Sequence, residues 1–117
     1  MCSFLFLKTS SPVDQEAIER SNVFARDRGP DHTGTVRLIS RSGSHLLLLH
    51  NLLDMSGHAA QQPVCGGEPQ SAALLFNGEI YNFRTVADVV ADTHCLLPGY
   101  QRLGDELPRV IDGEYAL

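Results

Sequence analysis

Four consecutive leucines, Leu46 to Leu49, lie inside the segment His45–Leu53. A short apolar run bounded by polar turn residues reads as a strand buried in a core. It is far too short for a membrane-spanning helix, which needs roughly 20 such residues. Its partner is close by. Residues 35–40 alternate well enough to form a strand, and Arg41-Ser42-Gly43-Ser44 between the two segments has turn composition. Together they predict a β-hairpin.

The remaining elements fall around that hairpin. Residues 3–7 predict a short buried strand. Ala17, Ile18, Ser21, Phe24 and Ala25 then recur at helical spacing. Ser11 is placed to cap this helix, Pro12 suits its first position, and Asp14 and Glu16 suit the positive end of its dipole. Gly29-Pro30 stops it. Residues 54–71 are rich in Gly, Pro and small polar residues and predict a long loop, a type of segment that often carries function. Ala72–Phe76 predicts another buried strand, running into Asn77-Gly78, a pair that usually marks a tight turn. Helical patterns occupy 84–91 and 93–103, with Asp92-Thr93 as a cap between them and Pro98 expected to kink or split the second. Glu114 to Leu117 reads as the start of a further strand. The chain of 117 residues is therefore expected to be one α+β domain, 1–117.

Charge excludes two classes of partner. The net charge is −5, and of nine cationic side chains only Lys8 is a lysine. Nucleic acid and anionic membrane are bound mainly by clustered cations, so neither is expected. The apolar start has no leading charged region and Lys8 ends it early, which does not fit a signal peptide. No Asn-x-Ser/Thr sequon occurs, and the expected location is cytoplasmic.

Three cysteines, Cys2, Cys65 and Cys95, make an odd count that does not suggest a disulfide framework. Cys2 stands apart. Removal of Met1 would place a thiol and a free α-amine on one residue. An α-amine ordinarily titrates at about pH 8, so it is partly neutral at about pH 7 and can accept the thiol proton. Nucleophile and base are then supplied without a histidine. The complementary requirement is a pair of donors for a developing oxyanion, which the Asn77 side-chain amide and the backbone N–H of Gly78 can provide. Glycine also permits close approach of the backbone to a substrate.

Met1-Cys2-Ser3, Arg28-Gly29-Pro30-Asp31, Gln62-Pro63, Asn77-Gly78-Glu79-Ile80-Tyr81-Asn82-Phe83, Ala91-Asp92-Thr93 and Asp112-Gly113 follow one another in that order. The series resembles the glutaminase domain of class II glutamine amidotransferases, of the asparagine synthetase type. The resemblance covers essentially the whole chain, and the heptapeptide Asn77–Phe83 is its most specific part. It implies an αββα N-terminal-nucleophile sandwich, here incomplete at its C-terminal side because the family domain is longer. It implies thiolate attack by Cys2 on glutamine, an oxyanion held by Asn77 and Gly78, release of ammonia, and hydrolysis of a thioester. Glu79 and Asp92 would grip the α-amino group of glutamine, and the segment carrying Leu52, Leu53 and Met55 would line the other side. No cofactor is implied. The ammonia would pass to a synthetase partner or domain, since no Ser-Gly-Gly-x-Asp-Ser pyrophosphate loop occurs here.

The chain departs from the family pattern in places. Leu52 stands where the family carries an arginine that pairs with the glutamine carboxylate, so Arg28, Arg37 or Arg41 would have to reach in. His94 replaces a glutamate, and Pro98 interrupts a helix that is continuous in relatives. These departures suit a second possibility, an inactive or truncated domain acting as an interaction module. A structural metal site is a further alternative, but the five histidines and three cysteines show no Cys-x-x-Cys or His-x-x-x-His spacing.

Overall fold

The computed structural model describes residues 2–55, 57, 60–66 and 72–117. Of these, 31% are helical and 34% are in strands. β1 (Ser3–Thr9), β2 (His32–Ile39) and β3 (His45–Leu52) form an antiparallel sheet in the order β1-β3-β2. The β2–β3 hairpin closes through Gly43 at φ +79°, as the Ser-Gly-Ser composition predicts. α1 (Gln15–Arg26) covers one face of this sheet, where Ile18 packs on Leu47 and Leu49, flanked by Leu5, Leu7 and Val13.

The opposite face meets two antiparallel ribbons. One pairs β4 (Val64–Gly66) with β5 (Ala72–Leu74); the other pairs β6 (Asn77–Ile80) with β7 (Gly113–Ala116). Beyond them lie α2 (Phe83–Val86), α3 (Thr93–Leu103) and α4 (Leu107–Val110), the last two joined by a 3-10 turn. A second core forms there from Phe76, Ile80, Val86, Cys95, Leu96, Leu107 and Ile111. The second β layer is thus two separate ribbons among the described residues, so every strand except β3 has an unpaired edge. Phe6, on the sheet face turned toward the ribbons, stays 53% exposed.

Several local expectations change. α1 starts at Gln15, capped by Asp14, whose carboxylate accepts from the Ala17 N–H at 3.0 Å. Ser11 is not the cap, because the Val13 side chain is held against the first core and its carbonyl accepts from Arg37. Phe24 is 90% exposed; the polar residue Asn22 turns to the sheet instead, donating to Asn51 at 3.1 Å. The 54–71 segment contains β4. The helix expected at 84–91 is a single turn, because Ala87 is extended and lets Val89 pack against the second core. α3 runs through the exposed Pro98 without splitting. Asn77-Gly78 lies within a strand and makes no turn.

Candidate active site

The β1–β3 register explains where Cys2 lies. Ser3 pairs with Asn51, so Cys2 sits one step beyond the ladder, level with Leu52. Strand alternation puts it on the same face as Phe4 and His50, the face turned toward the ribbons. Its sulfur is held by Leu53: the Leu53 N–H donates to Sγ at 3.3 Å, and the thiol donates to the Leu53 carbonyl at 3.7 Å. An N–H aimed at sulfur is also a donor for a thiolate.

The segment holding Cys2 is fixed from below by Arg28-Gly29-Pro30-Asp31. A Cβ on Gly29 would lie 2.1 Å from the Asn51 carbonyl oxygen, so only glycine fits this approach. Asp31 donates its N–H to the Leu52 carbonyl at 3.0 Å, and its carboxylate accepts from the Asp54 N–H at 2.8 Å. Asn51, fully buried, has all its hydrogen-bonding capacity engaged by Ser3, Asn22 and Thr33. No local signal in the sequence marks that amide, since its three partners come from three distant segments. The four-residue motif therefore anchors residues 51–54, and those residues seat the thiol.

β6 supplies the facing wall. Gly78 has φ +146°, and a Cβ there would sit 2.1 Å from the Glu114 carbonyl oxygen. This is why Asn-Gly can continue as a strand: glycine serves the contact with β7. Asn82 pins that contact, accepting from the Asp112 N–H at 2.9 Å and donating to the Val110 carbonyl at 2.9 Å. Asp92 caps α3 and braces β6 together. One carboxylate oxygen accepts from the Thr93 N–H at 2.7 Å, the other from the Ile80 N–H at 3.0 Å. Among the described residues the carboxamide of Asn77 and the carboxylate of Glu79 have no hydrogen-bond partner.

These two walls enclose an open cleft of about 980 Å³. Cys2, Leu52, Leu53, Met55, Asn77, Gly78, Glu79 and Asp92 all line it. Gln62, Phe76, Tyr81, Thr93, Glu114 and Tyr115 line it as well, without having been singled out as site residues. Gln62 had a visible signal, its place in the Gln62-Pro63 motif. Its buried side chain pairs with the Phe76 backbone, accepting at 2.7 Å and donating at 3.0 Å. Glu114 had none, because its position depends on pairing β7 with a strand more than thirty residues earlier.

The Phe76 carbonyl also accepts from His50 Nε2, at 3.0 Å. That bond fixes the proton on Nε2 and leaves Nδ1 buried without a partner. Burial lowers the His50 pKa below its ordinary value of 6.5; the Phe76 carbonyl partly offsets this, and the nearby charge of His32 lowers it further. The unfolded chain then binds the proton more readily, so the contribution of His50 to stability is full above about 6.5 and is lost as pH falls below it. Urea unfolding between about pH 7.5 and 5.5 is expected to show that loss, and His50→Gln to flatten it. An unchanged slope in the variant assigns the pH dependence elsewhere.

Arg28, Arg37 and Arg41 do not line the cleft. Arg37 is engaged on the α1 side of the sheet, donating to the Val13 carbonyl and to Gln15. Cys95 is buried on the inner face of α3, where burial first and then the negative Asp92 push its thiol up. No three His, Cys, Asp or Glu side chains gather as a metal-ligand group among the described residues. No described helix is long and apolar enough to cross a membrane.

The family profile described as "Glutamine amidotransferase domain" matches residues 1–117. The chain belongs to the glutamine amidotransferase domain family. It is 30% identical over 115 residues, 86% of its length, to a Mycobacterium bovis protein named "Putative asparagine synthetase (glutamine-hydrolyzing)", and equally to one of that name from Mycobacterium tuberculosis. It is 30% identical over 132 aligned positions, 99% of its length, to "Probable asparagine synthetase (glutamine-hydrolyzing)" of Dictyostelium discoideum. This amidotransferase chain spans only 18% of the mycobacterial proteins and 22% of the Dictyostelium one.

Proposed function

We propose that the chain is the glutaminase part of an asparagine synthetase type amidotransferase, with Cys2 as its nucleophile once Met1 is removed. The convergence of Cys2, Asn77 and Gly78 on one cleft, in a chain of this family, carries the reading. The Cys2 thiol gives its proton to its own α-amine, and the sulfur attacks the side-chain amide carbon, forming a C–S bond. The oxyanion takes hydrogen bonds from the Asn77 carboxamide and the Gly78 N–H. The tetrahedral adduct collapses by breaking the C–N bond, and ammonia leaves with the proton held by the amine. Water then adds to the thioester, the C–S bond breaks, and the thiol and a carboxylate are formed.

Glu79 and Asp92 hold the substrate ammonium in this scheme; Asp92 has a lone pair to spare beyond its structural bonds. Leu52, Leu53 and Met55 form the opposite side. The layering of α1, sheet, ribbons and α2–α4 supports assignment to the αββα N-terminal-nucleophile sandwich. Ammonia passes to a synthetase partner or domain, and a reducing cytoplasm suits the free thiol. Intact mass of the purified chain is expected to show loss of Met1, and a glutamine-like electrophile to label Cys2 alone. Labelling at Cys65 or Cys95 in its place rejects the assignment.

One observation favours a second reading, an inactive interaction module: no arginine or lysine lines the cleft to hold a substrate carboxylate. A processed chain that no such electrophile labels at Cys2 decides for it.

A further inference from the structure

All nine cationic side chains of the sequence lie within the described residues, and none of them lines the cleft. Three carboxylates do: Glu79, Asp92 and Glu114. Two of these face each other directly, since Glu79 pairs with Glu114 across β6 and β7. Like charges directly opposite on a ribbon repel, and among the described residues neither has an ion-pair partner. The field they make is felt by Tyr81, whose phenol is held above its ordinary pKa by Glu114 first, then by burial, Glu79 and Asp112. Opposite this wall stands the buried, apolar Leu52. Arg84, the cation adjoining a cleft residue, sits over the ring of Phe83 at 5.4 Å from its centroid. The Cys2 α-ammonium would be a further cation at the cleft, and the proposed reaction needs that group unprotonated.

We infer that this cleft takes a side-chain carboxamide bearing a free α-ammonium and a neutral α-carbonyl, as in an N-terminal glutamine residue of a peptide, and disfavours free glutamine. The inference rests on the reading of the cleft as a glutaminase site and keeps the same bond changes. The ammonium meets Glu79, Asp92 and Glu114. A free carboxylate on the same carbon would meet those charges and Leu52, with no guanidinium to receive it.

The test compares two electrophiles on the 117-residue chain after Met1 removal: a diazoketone analogue of glutamine with its α-carboxylate free, and the same compound as its α-carboxamide. The rate of Cys2 labelling is followed by mass spectrometry. The carboxamide is expected to label at least about tenfold faster, with the gap narrowing in high salt and in Glu114→Gln, as screening and charge removal require. Leu52→Arg is expected to reverse the order. Because Leu52 is buried and that variant can fail to fold, the wild-type ratio and the exposed Glu114→Gln decide the matter. Equal or faster labelling by the free carboxylate overturns the inference and leaves the glutaminase reading standing. Absence of Cys2 labelling by either compound overturns both.

Discussion

Cys2→Ala is expected to abolish amide hydrolysis while leaving the fold intact. The expected loss is roughly 10⁴-fold or more, the scale seen when a nucleophile is removed from a covalent mechanism. Stability should hardly change, because Cys2 lies beyond the β1–β3 ladder and its contacts are two weak sulfur hydrogen bonds to Leu53. Ammonia release from the carboxamide substrate, read beside thermal unfolding of the same preparation, separates the two effects. A variant that keeps even a tenth of the parent rate removes Cys2 from the chemistry. Its partial burial against a backbone N–H would then be a packing detail at the start of a strand.

Asn77→Ala is expected to lower the rate by roughly 10²–10³-fold, the usual cost of one oxyanion donor. The effect belongs in kcat, since the donor is needed most as charge develops on the carbonyl oxygen. Asn77 is suited to show this cleanly. Its carboxamide has no structural hydrogen bond among the described residues, so the substitution removes a donor without unpairing the fold. Gly78 offers no such test, because any side chain there collides with β7 and carries a strained φ. An effect confined to KM would make Asn77 a binding residue and leave the oxyanion to the backbone alone.

The acidic cleft bears on both experiments. If glutamine itself is the substrate assayed, its carboxylate is unpaired and basal rates are low, so the carboxamide analogue gives the wider window. The arrangement also explains why the residues that resemble the family are unevenly used. Gly29, Asp31 and Asn82 hold backbone segments in place, and Asp92 does so while facing the cleft. Leu52 sits where the resemblance calls for an arginine, and none of the nine arginine and lysine side chains lines the cleft.

How far the sequence could be read depended on how local each signal is. The β2–β3 hairpin was legible because alternation and a Ser-Gly-Ser turn act over a short stretch of chain. α3 was legible from its Asp92-Thr93 cap and its periodicity. The start of α1 was misread because Ser11 and Asp14 are both competent caps, and tertiary packing of Val13 chose between them. Asn77-Gly78 suggested a turn because the strand that needs glycine's missing side chain begins at Gly113.

By itself the sequence determined which chemistry the chain carries: a thiol next to the start, an amide beside a glycine, and acids spaced after them. Those are properties of residue type and order, fixed before folding. Only the tertiary structure decided that Cys2 and Asn77 share one cleft, that Glu79 confronts Glu114 across a ribbon, and that every arginine lies elsewhere. Charge balance in a cleft is set by strand pairing between distant segments, because electrostatic interaction depends on separation in space and is blind to position along the chain.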